Sequence, residues 1–293
     1  CEQLAAAILA KTRDLAERRF GGRVKRAVMS VPASATREYV AALMRAARLA
    51  HFEIGQIVSE PIAGSLALGL HGTSARRRLL VCDFGGGTFD VSAIVQEGLK
   101  FSPVATAGEE FLGGDDLDSA MAGAISHRIF RNTKFNMLDD RVRHAQLVQR
   151  CESVKRTLST QATARLTMRD AFIEKGEHRA LDVVMERSWV EPFWLPLVQR
   201  AVDCVSTALA RARWSADSVE QIVLIGGSST VPMYRAALVA AFGADRVAST
   251  PLAGIAVGMG AALVTAKYVA PGGIVPVLAP PSIDDDIPIE ICG

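Results

Sequence analysis

With 293 residues, the chain is long enough to bury a substantial core as one large domain or two ordinary ones. Apolar residues make up 49% of it and charged residues 22%, as in soluble globular proteins, and the net charge of +2 gives no reason to expect a nucleic-acid or membrane partner. The five cysteines form no C-x-x-C pair and no apolar run is long enough to span a membrane, so a reducing cytoplasm is the expected compartment. Because the first residue is Cys1 and not Met, we expect a fragment of a longer protein.

Helices and strands alternate in the first part of the chain. Apolar and small residues at helical spacing predict a helix over residues 2–19, which two glycines end. The next predicted elements are a strand at 26–31, a helix at 36–50, a strand at 54–59 and a helix from Glu60 to about Leu70. The polar, basic segment 71–78 predicts a boundary between two lobes.

Three consecutive glycines follow the next strand. Residues 79–83 form an apolar strand that ends in Asp83, residues 85–87 are glycine, and a second strand after Thr88 contains Asp90. Glycines let a ligand approach the backbone, and successive N–H groups in such a turn bind anions. The two carboxylates could hold the metal ion or water that accompanies a phosphate.

This pattern predicts a phosphate-binding hairpin. It is not a Walker A loop, because no Gly-Lys-Ser/Thr follows, and it is not a Rossmann fingerprint, because the glycines lead into a strand. An ordinary glycine-rich hairpin turn is the alternative interpretation.

The rest of the chain continues the alternation of helices and strands. The predicted elements are a strand at 101–105, a glycine turn at 108–118, a helix to about 129, an irregular stretch at 130–140, a helix at 142–159, short strands at 164–168, 171–174 and 181–185, a helix at 189–212, a strand at 221–225, a helix ending near 243 and a last helix at 255–267. The tail from Ala270 is rich in proline and contains three successive aspartates, which predicts an interdomain linker and the first strand of another domain.

Two segments of the chain resemble each other. Residues 28–43 and 223–238 are each a predicted strand, a turn of small residues and a predicted helix. Together with the glycine hairpin, this repeat predicts a duplicated fold with a ligand between two related lobes. Such a fold should own a second phosphate hairpin, which we expect to precede residue 1.

Three further places could contribute to a ligand site. Gly226, Gly227 and Ser228 precede a predicted helix, whose free N–H groups and dipole favour an anion or a polar nucleoside edge; helix capping is the alternative. Glu60 stands at a strand-to-helix junction, where the helix dipole alone could account for an acid. Four residues at spacings of three and four share one helix face, for which a solvated charged surface is the alternative: Glu152, Lys155, Arg156 and Ser159.

Five ordered motifs together resemble the ATPase domain of Hsp70 chaperones. They are SEPIAGSLALGL at 59–70, DFGGGTFDVS at 83–92, LGGDDLD at 112–118, CESVKRTLS at 151–159 and IGGSSTVP at 225–232. The resemblance covers nearly the whole chain and implies an α/β fold of the actin-like ATPase type, with ribonuclease H-like duplicated lobes and a smaller α+β outer subdomain. It also implies ATP or ADP and Mg²⁺ as ligands.

Roles for the candidate residues follow from the same resemblance. The implied catalytic residues are Asp83, which would bind Mg²⁺ through water, together with Thr88, Asp90 and Glu60. The implied phosphate cradle is Gly85, Gly86, Gly87 and Thr88. The implied adenosine pocket is lined by Glu152, Lys155, Arg156 and Ser159 on one side and by Gly226, Gly227 and Ser228 on the other. Pro32 matches the family's proline switch.

The resemblance also implies a division into subdomains. The first inner subdomain would comprise residues 1–78 and a return helix at 251–269, the second inner subdomain 79–117 and 189–250, the outer subdomain 118–188, and the linker with the start of a peptide-binding domain 270–293. The implied partners are unfolded polypeptide clients, bound through a C-terminal domain beyond Gly293, a J-domain co-chaperone and a nucleotide exchange factor.

Three positions depart from the family pattern. Thr230 stands where the family usually has an arginine that stacks on adenine, Leu252 interrupts a Pro-Asp-Glu motif, and Val40 aligns with a relay arginine. These departures favour a weaker affinity for the adenine base and an altered coupling between the two lobes. The alternatives are therefore a degenerate actin-fold nucleotide sensor or scaffold without turnover and, disfavoured by the linker-like tail, a filament-forming actin relative. We expect the 293 residues alone not to hydrolyse ATP at a normal rate.

Overall fold

A computed structural model describes residues 1–69, 76–98, 100–248 and 250–265 of the chain. The chain forms two compact units. Of the described residues, those within 1–69, 98–101 and 257–265 contribute to the first, and those within 76–97 and 102–256 contribute to the second. The predicted linker from Ala270 onward lies outside the described residues.

The described elements follow the predicted alternation closely. In chain order they are α1 (Glu2–Phe20), β1 (Arg26–Val31), α2 (Arg37–Leu49), β2 (Glu53–Ser59), α3 (Glu60–Ala67), β3 (Arg76–Phe84), β4 (Phe89–Glu97), β5 (Lys100–Glu109), α4 (Gly114–Thr133), α5 (Arg141–Leu158), β6 (Thr163–Glu174), β7 (Glu177–Glu186), α6 (Arg187–Ala212), β8 (Gln221–Ile225), α7 (Pro232–Phe242), β9 (Val247–Ala248) and α8 (Ala256–Thr265). Short 3-10 turns occur at Met137–Asp139, Ala216–Ser218, Gly227–Thr230, Ala244–Arg246 and Ala253–Ile255.

The first unit contains a two-stranded parallel sheet, β1–β2, with α2 between the two strands in the chain. Thr36 caps α2, because its hydroxyl oxygen accepts a hydrogen bond from the Tyr39 N–H at 3.2 Å. The apolar stripe of α2 packs on the strands to form a small core that includes Val31, Val40, Met44 and Ile57.

Helix α8 belongs to the first unit from Val257 onward, and a glycine lets it approach α3 closely. A Cβ built on Gly260 would overlap the backbone of Ala63, in α3. The two helix backbones therefore touch at a point that only glycine tolerates.

The second unit is built on a five-stranded sheet of order β5-β4-β3-β8-β9. Strands β3 and β4 form an antiparallel hairpin, whereas β8 runs parallel to β3, and β9 runs parallel to β8. Residues 79–82 of the central strand β3 are buried, as expected of an apolar run with neighbours on both sides. Across the core, the indole N–H of Trp194 donates to the carbonyl of Leu117 at 3.0 Å and so joins α6 to α4.

The outer part of the second unit consists of α4, α5 and the antiparallel pair β6–β7. The two short strands predicted at 164–168 and 171–174 are one strand, because a register shift between Met168 and Phe172 absorbs the break in the pattern. The stretch 130–140, predicted as irregular, is partly helical. Helix α4 continues to Thr133, whose hydroxyl donates back to the Ile129 carbonyl at 2.9 Å, and Lys134 ends the helix with a φ of 64°.

The internal repeat seen in the sequence is also present in the structure. In the first unit, β1 is followed by α2 and by the parallel strand β2, and in the second unit β8 is followed by α7 and by the parallel strand β9. The similarity extends further along the sequence, since SEPIAG at 59–64 follows the first copy and STPLAG at 249–254 follows the second. Each unit therefore contains one copy of the predicted repeat.

Alanine at Gly260 is expected to destabilise the first unit. A Cβ would force α3 and α8 apart, and overpacking of this kind costs about 1–3 kcal/mol. Gly258→Ala is the matched control in the same helix, because a Cβ there meets nothing within 4 Å and alanine favours the helix by up to about 1 kcal/mol. Urea unfolding followed by circular dichroism measures both variants, and equal stabilities would contradict the close helix contact.

Candidate functional site

The glycine loop, residues 85–88, connects β3 to β4. Phe84 and Phe89 are the last cross-strand pair, and the Gly85 N–H donates to the Thr88 carbonyl at 3.0 Å to close the loop. Gly86, Gly87 and Thr88 are exposed. Within the described part of the chain, the N–H groups of Gly86 and Gly87 donate no hydrogen bond, which leaves two neighbouring donors available to an anion.

The N-terminus of α4 holds the carbonyl side of this loop. The Gly114 N–H donates to the Gly85 carbonyl at 3.0 Å, and the Asp115 N–H donates to the Gly86 carbonyl at 2.8 Å. A Cβ on Gly113 would overlap the backbone of Gly86, so the helix can approach the loop only because this residue is glycine. The second glycine turn, to which the sequence assigned no ligand contact, therefore supports the first one.

The turn after β8 contacts the loop from another side. The Ser228 hydroxyl donates to the Gly85 carbonyl at 2.8 Å. Gly226 has a φ of 81°, and a Cβ at this position would overlap the Phe84 carbonyl. The parallel pairing of Asp83 with Ile225 brings both turns to the same edge of the sheet.

Gly226, Gly227 and Ser228 precede helix α7, as predicted, but a 3-10 turn that was not predicted begins at Gly227 and comes before the helix. Residues Gly227–Thr230 form a 3-10 turn, and α7 begins at Pro232. The hydroxyls of Ser229 and Thr230 donate to the carbonyls of Gly226 and Gly227, each at 2.7 Å, and so stabilise the tighter turn.

Two carboxylates face each other across the hairpin beside the loop. Asp83 and Asp90 are a directly opposed pair of β3 and β4. Burial, and secondly the negative charge of Asp90, raise the pKa of Asp83 to about 6. Burial and the charge of Glu110 also raise the pKa of Asp90, although a hydrogen bond from Thr88 lowers it. Like charges in this arrangement destabilise the hairpin and would be stabilised by a cation.

The described residues contain no group of three or more His, Cys, Asp or Glu side chains that could hold a metal ion by themselves. Asp83 and Asp90 would therefore fit a cation whose other ligands are water and phosphate oxygens, as is usual for Mg²⁺.

The predicted polar face of α5 divides into two parts. Lys155 is buried, and its ammonium group donates to Asp118 Oδ2 at 2.6 Å and to the Gly114 carbonyl at 2.8 Å. Glu152 and Arg156 are exposed, and Glu152 Oε1 lies 3.8 Å from Arg156 Nη1, as a weak i,i+4 ion pair. Ser159 ends the helix and donates to the Lys155 carbonyl at 3.0 Å.

The amino-acid sequence matches the Hsp70 protein family over residues 1–272. The chain belongs to the Hsp70 family. It is 32% identical over 231 residues to the chaperone protein DnaK of Mycoplasma mobile. The aligned segment covers 79% of this chain and 38% of that relative. The DnaK proteins of Mesomycoplasma hyopneumoniae (31% identical, 38% of the relative) and Mycoplasmopsis synoviae (32% identical, 39% of the relative) cover the same share of this chain.

Membership of the Hsp70 family confirms the chaperone resemblance and the actin-like ATPase fold. It also makes this a member of a nucleotide-binding family of ATPases. The chain spans about two fifths of the length of the curated relatives that it matches. Among the described residues, no helix is both long and apolar enough to cross a membrane.

Most of the candidate residues of this Hsp70-family chain lie in the second unit. The structure brings the loop, the two aspartates, Lys155 and the turn at Gly226 together at one edge of the sheet. Glu60 is the exception: it is the first residue of α3 in the first unit. Val40 is a core residue of the first unit.

Asp118 was missed as a site residue. Its carboxylate is buried beside Lys155, 37 positions away in the sequence, and the two side chains meet only through the packing of α4 on α5. The available signal was its place at the end of the motif at 112–118.

Asp83→Asn is expected to stabilise the protein in the absence of nucleotide and metal. The pKa of Asp83 rises from 3.8 to about 6 on folding, so the folded state binds this proton more tightly than the unfolded state does. The cost of ionising Asp83 is therefore small at pH 4, grows as the pH rises towards 6, and is complete above pH 7. At that point the variant should be more stable by about 1–3 kcal/mol.

Urea unfolding in EDTA at pH 5 and pH 8 tests this expectation, with Asp245→Asn as the control. Asp245 is exposed in the turn Ala244–Arg246, and its replacement should change little at either pH. A variant at Asp83 that is less stable than the wild type at pH 8 would show that the carboxylate is not strained by burial.

Proposed function

We propose that this chain binds ATP and ADP with Mg²⁺, as the ATPase portion of an Hsp70-type molecular chaperone. The observation that carries the proposal is the glycine loop, with the two available N–H groups of Gly86 and Gly87 beside the half-buried pair Asp83 and Asp90. Anion donors next to carboxylates are what a phosphate chain with a divalent cation requires.

In this proposal the loop holds the β- and γ-phosphates. Gly85, Gly86, Gly87 and Thr88 form the cradle, and the positive end of the α4 dipole lies against it. The loop carbonyls of Gly85 and Gly86 accept hydrogen bonds from the protein itself. Carbonyl oxygens that would repel a phosphate are thereby engaged away from it, and this supports anion binding.

Asp83 would hold Mg²⁺ through water, and the ion, when bound, would neutralise charge on the transferred phosphoryl group. Asp90 and Glu60 would order the attacking water, and Thr88, which hydrogen-bonds Asp90, would orient that carboxylate. Catalysis of in-line attack would then come from positioning and electrostatics.

The adenosine would lie beyond the phosphates. One wall would come from α5 and the other from the turn after β8: Glu152, Lys155, Arg156 and Ser159, with Gly226, Gly227 and Ser228. The exposure of Glu152, Arg156 and Gly227 supports this placement, because their surfaces are open to a ligand.

A second candidate function is nucleotide binding without turnover. It is favoured by Thr230, which is exposed and short and whose hydroxyl already donates to the Gly227 carbonyl at 2.7 Å. This residue offers no guanidinium plane to stack on adenine, so the base would be held less tightly.

The whole-protein properties are part of the same proposal. ATP hydrolysis would drive the binding and folding of unfolded polypeptides by a C-terminal domain, in the cytoplasm, with a J-domain co-chaperone and a nucleotide exchange factor. The subdomain boundaries remain those proposed from the sequence, with residues 118–188 as the outer subdomain and Pro32 as the switch that couples the nucleotide state to the client domain.

Calorimetric titration with ADP, in Mg²⁺ and in EDTA, tests nucleotide binding. The wild type should bind, and Asp83→Asn should weaken binding in Mg²⁺ by at least about tenfold while changing the affinity in EDTA little. Asp245→Asn is the control, since this exposed aspartate belongs to the same unit but is remote in sequence from the loop. No binding by the wild type, or equal affinities in Mg²⁺, would overturn the proposal.

Single-turnover hydrolysis of radiolabelled ATP separates the two candidate functions. We expect the 293 residues alone to bind nucleotide but to hydrolyse it more slowly than an intact chaperone, because the described residues supply one phosphate hairpin of the duplicated fold. Mg²⁺-dependent turnover at the rate of an intact chaperone would contradict this expectation.

A further inference from the structure

Lys155 reaches the phosphate loop indirectly, through the first turn of α4. Its ammonium group lies 2.8 Å from the Gly114 carbonyl and 2.6 Å from Asp118 Oδ2, and both acceptors belong to α4. The N–H of the same residue, Gly114, donates to the Gly85 carbonyl of the loop. Two successive hydrogen bonds, Lys155 to Gly114 and Gly114 to Gly85, therefore join α5 to the loop.

The packing around Gly114 is tight. A Cβ on Gly114 would lie 2.6 Å from the Ser228 hydroxyl oxygen and 2.7 Å from the Lys155 ammonium nitrogen. Since Ser228 also donates to the Gly85 carbonyl, Gly114 lies between Lys155 and a group that contacts the loop directly. A shift of Lys155 would thus be felt directly at Gly114 and Gly85.

The ion pair is not explained by stability alone. Both side chains are buried, with exposures of 9% for Lys155 and 3% for Asp118, and Asp118 Oδ1 has no hydrogen-bond partner among the described residues. Burial raises the pKa of Asp118 to about 6 even though Lys155 lowers it. A buried pair of this kind often contributes less to stability than an apolar pair of the same volume would.

We propose that Asp118 and Lys155 are positioning residues, whose ion pair clamps α5 to the first turn of α4 and so fixes the carbonyls of the glycine loop. This proposal rests on the proposed nucleotide function. It links the two halves of the site, because α5 also carries the exposed Glu152 and Arg156. Asp118 itself is not assigned a contact to nucleotide.

The test uses a double variant, Asp118→Leu/Lys155→Met, in which both charges are replaced by apolar side chains. The fold should remain stable in urea unfolding, because no buried charge is left unpaired, whereas Asp118→Asn alone should be destabilised. The matched control is Arg165→Met/Asp182→Leu, which removes an exposed ion pair between β6 and β7 in the same unit.

Amide hydrogen exchange is the first measurement, and it requires no nucleotide. The amides of Gly114 and Asp115 should exchange roughly three- to tenfold faster in the double variant than in the wild type and the control. Unchanged exchange at these two amides would overturn the proposal, whether or not the protein binds nucleotide. Failure of the wild type to bind ADP would instead overturn the proposed function.

The second measurement is the ratio of ADP affinity to adenosine affinity. This ratio cancels any contact that Lys155 makes to the nucleoside and reports on the phosphate loop. It should fall by roughly three- to tenfold in the double variant and stay constant in the control. Faster exchange with an unchanged ratio would show that the pair supports structure only, and would overturn its positioning role.

Discussion

The Gly85 carbonyl is the contact on which the rest of the candidate site depends. A carbonyl oxygen has two lone pairs, and here one accepts from the Gly114 N–H and the other from the Ser228 hydroxyl. The loop, the first turn of α4 and the turn after β8 therefore meet at one atom. Because both lone pairs are used by the protein, the loop presents its N–H groups and not this carbonyl to a ligand.

This contact also explains why glycines cluster at the site. At Gly113, Gly114 and Gly226, an added Cβ would collide with the loop, with Ser228 or with the strand that enters the loop. The glycine loop itself is more tolerant, since a Cβ on Gly86 or Gly87 meets nothing within 4 Å. Their openness is better suited to the approach of a ligand than to packing.

Local patterns were sufficient to predict most of the fold but only part of the site. The strands Arg26–Val31 and Gln221–Ile225 are found where they were predicted, because short apolar runs bounded by turn residues are a local signal. The 3-10 turn at Gly227–Thr230 was not predictable, since it depends on which carbonyls the hydroxyls reach. Glu152 and Arg156 are exposed, as spacing on one helix face allows, whereas Lys155 is buried against α4. Spacing along one helix cannot reveal the side chain opposite it.

The two copies of the repeat differ at the position that Glu60 occupies in the first. After the first parallel strand pair, SEPIAG places Glu60 at the start of α3, and after the second pair, STPLAG places Thr250 at the corresponding position. The Thr250 hydroxyl accepts from the Leu252 N–H at 3.1 Å, and its carbonyl accepts from Ala253 at 3.1 Å, so this residue serves a local turn. The Ala253 carbonyl in turn accepts from the Gly226 N–H at 3.0 Å. One copy of the repeat therefore supplies an acid, and the other supports the turn that holds the glycine loop.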